Sequence, residues 1–238
     1  MFPVAILAGG LATRLRPTTK TIPKALIEIS GEPFLAHQLR LLNRSGIERV
    51  VLCIGYRGEQ IQQYARNGSQ FGVHLEYSYD GPRLLGTAGA LRQALTMLGE
   101  SFFVLYGDSY LPCDYRAIEQ TFLDSGKLGV MTVFQNEGEW DTSNVEFSGG
   151  RLLAYDKALR TPRMRHIDYG LGVFRSEAFA ALSDGQPYDL ATLYHDLLAR
   201  DELAGHEVRE RFYEVGSFAG IRELEEFLRN SVPMGLPR

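Results

Sequence analysis

Apolar and polar positions along this chain switch repeatedly between a strand-like and a helix-like period. Val4-Ala5-Ile6-Leu7 is an unbroken apolar run that ends in Gly9-Gly10, the profile of a buried strand delivering a loop to the carboxyl edge of a sheet. Phe34, Leu35, Leu39, Leu42 and Ile47 mark an amphipathic helix that Gly46 stops. Residues 50–54 form the next buried strand, and a polar helix near 59–65 leads through a glycine-rich turn to a strand at 73–79. Ala88, Leu91, Leu95 and Leu98 repeat at helical spacing, residues 102–106 are apolar throughout, Ile118 and Phe122 mark a further helix, and 129–134 read as strand. Strands and helices alternating through short connections predict right-handed crossovers. The expected fold is therefore α/β: one Rossmann-like domain with a mostly parallel, mixed sheet and helices on both faces.

The second half is less regular. Residues 144–147 and 152–155 flank Gly149-Gly150 as a hairpin, and 167–174 are a further strand. Leu190, Leu193, Tyr194, Leu197 and Leu198 form a helical stripe behind an expected Asp189 N-cap. Ser217 is the expected cap of a closing helix whose Phe218, Ile221, Leu224 and Leu228 face inward, and only 229–238 look loose. With no linker, repeat or low-complexity segment, the 238 residues are expected to form one domain, with a first half near 1–135 and a second half near 136–230.

Composition excludes more than it selects. The hydrophobic share of 45% and charged share of 23% are ordinary for a globular chain. A net charge of −4 gives no global attraction to nucleic acid or an anionic membrane, so an anionic substrate must be held by local charge. The two cysteines, Cys53 and Cys113, make neither a disulfide framework nor a metal-spaced pair, and Cys53 is expected as a small core residue. No secretion signal and no run of membrane-spanning length is apparent, and the expected location is cytoplasmic. The five histidines fit no metal spacing, and no Ser/His/Asp or Cys/His set suggests a covalent intermediate.

Local chemistry is concentrated at strand ends, where ligands bind open parallel sheets. Leu7, Ala8, Gly9 and Gly10 open a loop that continues through Thr13 and Arg14 to Pro23-Lys24. Its glycines let backbone N–H groups approach an anion, and Arg14 and Lys24 supply the fixed positive charge a polyphosphate needs. The spacing matches neither a Walker A loop nor the dinucleotide G-x-G-x-x-G fingerprint. Gly86-Thr87-Ala88-Gly89 opens a helix with small residues against which a flat base can lie, with free N–H donors at the helix start. Gly107-Asp108 places a carboxylate just past a buried strand, where it can reach a magnesium ion shared with phosphates. Taken alone, Gly9-Gly10 and Asp108 each read equally well as an ordinary turn, and the stretch 86–89 also fits a helix start made compact by glycine.

In combination and order, Gly9-Gly10-Leu11-Ala12-Thr13-Arg14-Leu15-Arg16-Pro17 followed by Pro23-Lys24 resembles the signature of sugar-1-phosphate nucleotidyltransferases, G-G-x-G-T-R-L-x-P then P-K. Ala12 replaces the usual glycine. The resemblance spans nearly the whole chain and implies the nucleotide-diphospho-sugar transferase fold, which is GT-A-like. It also implies Mg²⁺, and NTP and sugar 1-phosphate as partners, with a homodimer allowed. The nucleobase would sit at Gly86, Thr87 and Gly89, although Asp80-Gly81-Pro82-Arg83 lacks the glutamine that reads the base in many relatives. Arg14 would hold the triphosphate tail, Lys24 would bridge attacking and attacked phosphates, and Gly107 would line the nucleotide site. Asp108 and Glu214 would bind the metal, Glu214 standing where the family has aspartate. Asn144, Lys157, Asp168 and Gly170 would face the sugar phosphate, Asp168 standing where the family has asparagine. The basic run Lys157, Arg160, Arg163, Arg165 reads more readily as a solvated loop. GTP with D-glycero-D-manno-heptose 1-phosphate or mannose 1-phosphate is the preferred pair. UTP- or CTP-dependent transfer, a silent nucleotide-sugar regulator and a glycosyltransferase are the rivals, the last lacking its usual Asp-x-Asp at Asp108-Ser109-Tyr110.

Overall fold

The computed structural model describes residues 1–10, 22–81, 83–136 and 138–231. In chain order these form β1 (Val4–Leu7), a 3₁₀ turn (Lys24–Leu26), β2 (Glu28–Ile29), β3 (Glu32–Pro33), α1 (Phe34–Arg44), β4 (Arg49–Ile54) and α2 (Gly58–Ala65). They continue with β5 (His74–Tyr79), α3 (Gly86–Leu98), β6 (Ser101–Tyr106), β7 (Ser109–Tyr110), α4 (Tyr115–Ser125) and β8 (Gly129–Gln135). The remainder is β9 (Val145–Ser148), β10 (Arg151–Tyr155), β11 (His166–Arg175), α5 (Leu190–Ala199), β12 (Leu203–Val208), β13 (Tyr213–Glu214) and α6 (Phe218–Ser231).

The main sheet runs β10-β9-β11-β6-β1-β4-β5, with β8 and then β12 branching from β11. Strands β6, β1, β4 and β5 are mutually parallel, as the strand–helix repetition requires. Direction reverses at β11, which runs antiparallel to both β6 and β8. Successive side chains of a strand point to opposite faces, so each apolar run divides by parity. Ile6, Leu52, Leu105 and Phe103 join Leu39, Ile61, Ile118 and Phe122 on one side of the sheet. Ala5, Val51, Val104 and Phe102 join Leu91, Leu193 and Leu197 on the other. Helices α1, α2 and α4 thus cover one face, and α3 and α5 the other. This is why the central strands read as continuous apolar runs rather than alternating ones.

Helix ends follow their local chemistry. The chain leaves α1 through Gly46 at φ +85°, a conformation that disfavours a Cβ. Asp114 caps α4 by accepting from the Arg116 and Ala117 amides, and Asp189 caps α5 by accepting from Ala191. At α6 the Ser217 hydroxyl accepts from the Gly220 amide at 3.1 Å, as expected. Phe218, expected inward, is 58% exposed, because Leu224 with Ile221, Phe227 and Leu228 fills the available face. Helix α6 continues to Ser231, three residues into the stretch expected to be loose, and 232–238 lie outside the described residues.

Three pairings were not anticipated. β12 adds a parallel edge beside β8, and β2 pairs with β3. Most consequential is the antiparallel pair β7–β13, which sets Glu214 opposite Ser109 and Tyr213 opposite Tyr110. A small third core of Ile29, Phe34, Tyr110, Val215 and Leu224 holds this ribbon and α6 against the domain.

Candidate active site

The carboxyl ends of β1, β4, β5 and β6 open into a cleft of about 430 Å³. Its walls include Leu7, Ala8, Gly9 and Gly10 from the end of β1, and Gly86 and Thr87 from the start of α3. Lys24, Gly107 and Asp108 also line it. Of the expected nucleotide residues in the opening loop, Thr13 and Arg14 lie outside the described residues.

The two strands that deliver the loops are held very close. The Gly107 amide donates to the Leu7 carbonyl at 3.0 Å, and a Cβ on Gly107 would stand 2.6 Å from that same oxygen. Glycine is therefore required here by contact between backbones. Lys24, on its 3₁₀ turn, reaches across to Asp108 with Nζ–Oδ2 at 2.5 Å. The pair is 16% and 27% exposed, partly shielded yet reachable from the cleft.

Asp108 and Glu214 lie 106 residues apart in sequence numbering, and the β7–β13 ribbon sets Glu214 opposite Ser109, the residue after Asp108. The Val215 amide donates to the Asp108 carbonyl at 2.9 Å, and Gly216 joins Asp108 on the cleft wall. Both side chains also act on Tyr106 at the cleft floor. Burial first, then the negative charges of Asp168, Asp189, Asp108 and Glu214, holds that hydroxyl well above its ordinary pKa. Four carboxylates, on β11, at the start of α5, on the β6–β7 turn and on β13, thus add negative charge around one hydroxyl.

The expected acceptor side is assembled around the same ring. The Lys157 ammonium stands 5.8 Å from the Tyr106 ring centre and 6.0 Å from that of Tyr155. Burial raises the Asp168 carboxyl above its ordinary value, while the Lys157 charge and the hydrogen bond from the Gly170 amide oppose the rise. That amide donates to Asp168 Oδ1 at 3.1 Å, with Gly170 at φ +94° in the irregular stretch of β11. Asn144, expected at the sugar, is buried and its Oδ1 accepts from the Asp168 amide at 3.0 Å, so it holds the Asp168 backbone. The rest of the basic run turns away. Arg163 pairs with Glu146, and Arg160 and Arg165 line a separate hollow beside Trp140.

The start of α3 differs from expectation. The Ala88 and Gly89 amides are not free, because both donate to the Tyr188 carbonyl at 2.9 and 3.2 Å. Gly89 is packed on the 186–188 backbone, where a Cβ would stand 2.6 Å from the Gln186 carbonyl oxygen. Thr87 Oγ1 accepts from the Leu190 amide at 2.6 Å. The small residues here let the segment before α5 approach α3. Gly86 and Thr87 reach the cleft and Gly89 does not line it.

Asp80, Tyr106, Asp189 and Gly216 line the cleft in addition to the expected site residues. Asp80 has a readable signal, a carboxylate directly after the strand that ends Tyr77-Ser78-Tyr79. It accepts from the Leu85 amide at 3.4 Å, and burial raises its carboxyl above the ordinary value against that bond. Cys53 forms part of the inner wall, buried as expected, with its thiol pushed up to about 12 by burial and by Asp80.

Mg²⁺ takes hard oxygen ligands and needs only one or two protein carboxylates beside phosphates and waters. Asp108 and Glu214 fit that donor set. Among the described residues no group of three or more His, Cys, Asp or Glu side chains is placed to hold a metal without such added ligands.

A parallel-sheet edge with a glycine-lined loop, one reaching lysine and convergent carboxylates defines a site for a phosphorylated ligand on a mixed α/β domain. The chain belongs to the nucleotidyl transferase family, whose model matches residues 4–143. It is 28% identical to N-acetylmuramate alpha-1-phosphate uridylyltransferase of Neisseria meningitidis, covering 92% of this chain and 95% of that protein. It is 40% identical to a mannose-1-phosphate guanyltransferase of Aspergillus oryzae over 84% of this chain and 62% of that protein. Several other relatives are matched over only about half their length. Among solved structures, HddC of Yersinia pseudotuberculosis complexed with GMP-PN superposes with a TM-score of 0.79 at 21% identity, covering 96% of this chain and all of that one. The fold is thus that of the sugar-phosphate nucleotidyltransferases. No helix among the described residues is long and apolar enough to cross a membrane.

Proposed function

We propose that this chain transfers a nucleoside monophosphate from an NTP to a sugar 1-phosphate, releasing pyrophosphate. The observation that carries this reading is the β7–β13 ribbon, which sets the Glu214 strand beside Asp108 at the edge of the Lys24 cleft. In the reaction an oxygen of the sugar phosphate attacks the α-phosphorus in line. The new P–O bond forms as the bond to the β-phosphate oxygen breaks, and pyrophosphate leaves with that electron pair. The attacking phosphate is already ionised, so no general base is needed, and catalysis is positioning with charge neutralisation.

Lys24 lies where it can pass from Asp108 to the phosphates and neutralise charge between attacking and attacked groups. Asp108 and Glu214 would hold Mg²⁺, which when bound neutralises α-phosphate charge. Lys157, over the Tyr106 ring, orients the acceptor phosphate. Asp168 accepts hydrogen bonds from sugar hydroxyls, which an ionised carboxylate does without donating. Arg14, on the opening loop, is assigned the triphosphate tail.

For the donor we propose GTP. Asp80 lines the cleft at the end of β5, and an ionised carboxylate accepts only. Guanine alone among the common bases offers two adjacent donors, N1–H and the 2-amino group, on its pairing edge, whereas uracil presents one donor between two carbonyls. The sugar proposed is heptose or mannose 1-phosphate. A panel of four NTPs against mannose, glucose, heptose and N-acetylmuramate 1-phosphates, read as pyrophosphate release with Mg²⁺, tests both choices. Release with GTP and either heptose or mannose 1-phosphate is expected. Release confined to UTP or CTP overturns the donor, and release with no pair overturns the activity.

A further inference from the structure

Gln38 is buried on α1, 1% exposed, and is neither a cleft-lining residue nor part of any motif. Its Nε2 donates to two backbone carbonyls, Tyr106 at 3.1 Å and Ser109 at 2.8 Å. Those carbonyls bracket Gly107-Asp108. Two acceptors side by side fix the amide orientation, since the flipped form would set Oε1 against both oxygens. The remaining Gln38 Oε1 is buried and has no hydrogen-bond partner among the described residues. An unpaired buried acceptor is costly, and a leucine would fill the same space without that penalty. The amide is thus explained by its donation to the turn and not by packing.

The turn has two further backbone anchors, Gly107 N to Leu7 O at 3.0 Å and Val215 N to Asp108 O at 2.9 Å. β1 therefore holds it from one side, the β13 end from another, and α1 from beneath. Of these three attachments to the backbone of the turn, that of Gln38 alone comes from a side chain. It spans the Asp108 turn from residue to residue, so it sets where the carboxylate stands relative to Lys24 and the Glu214 strand.

We infer that Gln38 is a positioning residue for transfer, clamping the 106–109 turn so that Asp108 is held in its working place before any ligand binds. The inference rests on the proposed nucleotidyl transfer for its catalytic consequence, while the clamp itself is open to test without substrate. Hydrogen exchange is compared between wild type and Gln38→Leu in the ligand-free chain. Faster exchange at the Gly107 and Val215 amides, by about 10-fold or more over amides of β4, is expected, because both report the turn. In pyrophosphate release Gln38→Leu should lower kcat by roughly 10- to 100-fold, the scale of a sub-ångström misplacement, with the sugar-phosphate KM within about 2-fold.

Gln38→Glu adds a signature that a purely structural role lacks. Its ionised carboxylate faces two carbonyl oxygens and cannot donate, whereas the protonated acid restores one donor. Its rate relative to wild type at the same pH should therefore rise as pH falls. Unchanged exchange at Gly107 and Val215 in a folded variant overturns the clamp. A flat Gln38→Glu to wild-type ratio across pH, or a loss confined to KM, overturns the positioning role. If Gln38→Leu does not fold, Gln38→Glu carries both measurements. Wild-type protein without pyrophosphate release would refute the transfer reading alone, and the exchange result would still decide the clamp.

Discussion

Replacing Gly107 by alanine tests how tightly this site depends on two strands lying almost in contact. The added Cβ would stand 2.6 Å from the Leu7 carbonyl oxygen, 2.9 Å from Ala8 Cα and 3.1 Å from the Leu7 carbonyl carbon. All three are backbone atoms of β1 and its loop, so no side chain can rotate away. The turn must retreat by a good fraction of an ångström, stretching the Gly107–Leu7 hydrogen bond and carrying Asp108 with it. Overpacking of this kind costs about 1–3 kcal/mol of stability. Displacing a charge-stabilising group by up to an ångström costs about 10- to 100-fold in rate. Urea unfolding should therefore show a lower midpoint with an unchanged slope, and pyrophosphate release should fall by that factor in protein still folded. A variant with wild-type midpoint and rate would refute the claim that Gly107 is fixed by contact with β1.

Other substitutions separate charge, capping and burial. Lys24→Ala should lower kcat/KM by on the order of 10² to 10³, by analogy with loss of a preorganised charge-stabilising donor. Lys157→Ala should raise the KM for sugar phosphate far more than that for NTP, which initial-rate kinetics will show. Asp114→Ala, at the N-cap of α4, should lose about 0.5–2 kcal/mol in denaturant titration with transfer unchanged. For Asp80 the folded carboxyl is raised by burial above its ordinary 3.8, so its contribution to stability is fullest below that value and is lost as pH rises through the folded one. Asp80→Asn should thus melt higher than wild type at pH 7, with the gap closing as pH falls toward 4, while its preference for GTP over UTP declines.

How far the sequence could be read follows from how local each signal is. The runs at β1, β4 and β6 are buried on both faces, so apolarity alone identified them, and Asp114 and Asp189 cap helices through contacts within a few residues. The β7–β13 ribbon escaped because a two-residue strand has no period, and its partner lies about a hundred residues away. Gly86-Thr87-Ala88-Gly89 looks open to a base in sequence because nothing in its own residues shows that the Tyr188 carbonyl occupies two of its amides. Phe218 fits the helical stripe of α6 but lies at its first residue, before the helix reaches the small core around Leu224. Gln38 is one polar residue on an otherwise apolar helix face, and its role appears only with the turn it holds.

The account depends most on Asp108 and Glu214 acting together on one bound phosphate group. A double-mutant cycle measures this directly, with pyrophosphate release compared among wild type, Asp108→Ala, Glu214→Ala and the double variant at fixed Mg²⁺. The account predicts that either single change removes most of the rate and that the second removes little more. Losses that multiply in full, or a Glu214→Ala enzyme as fast as wild type, would contradict it.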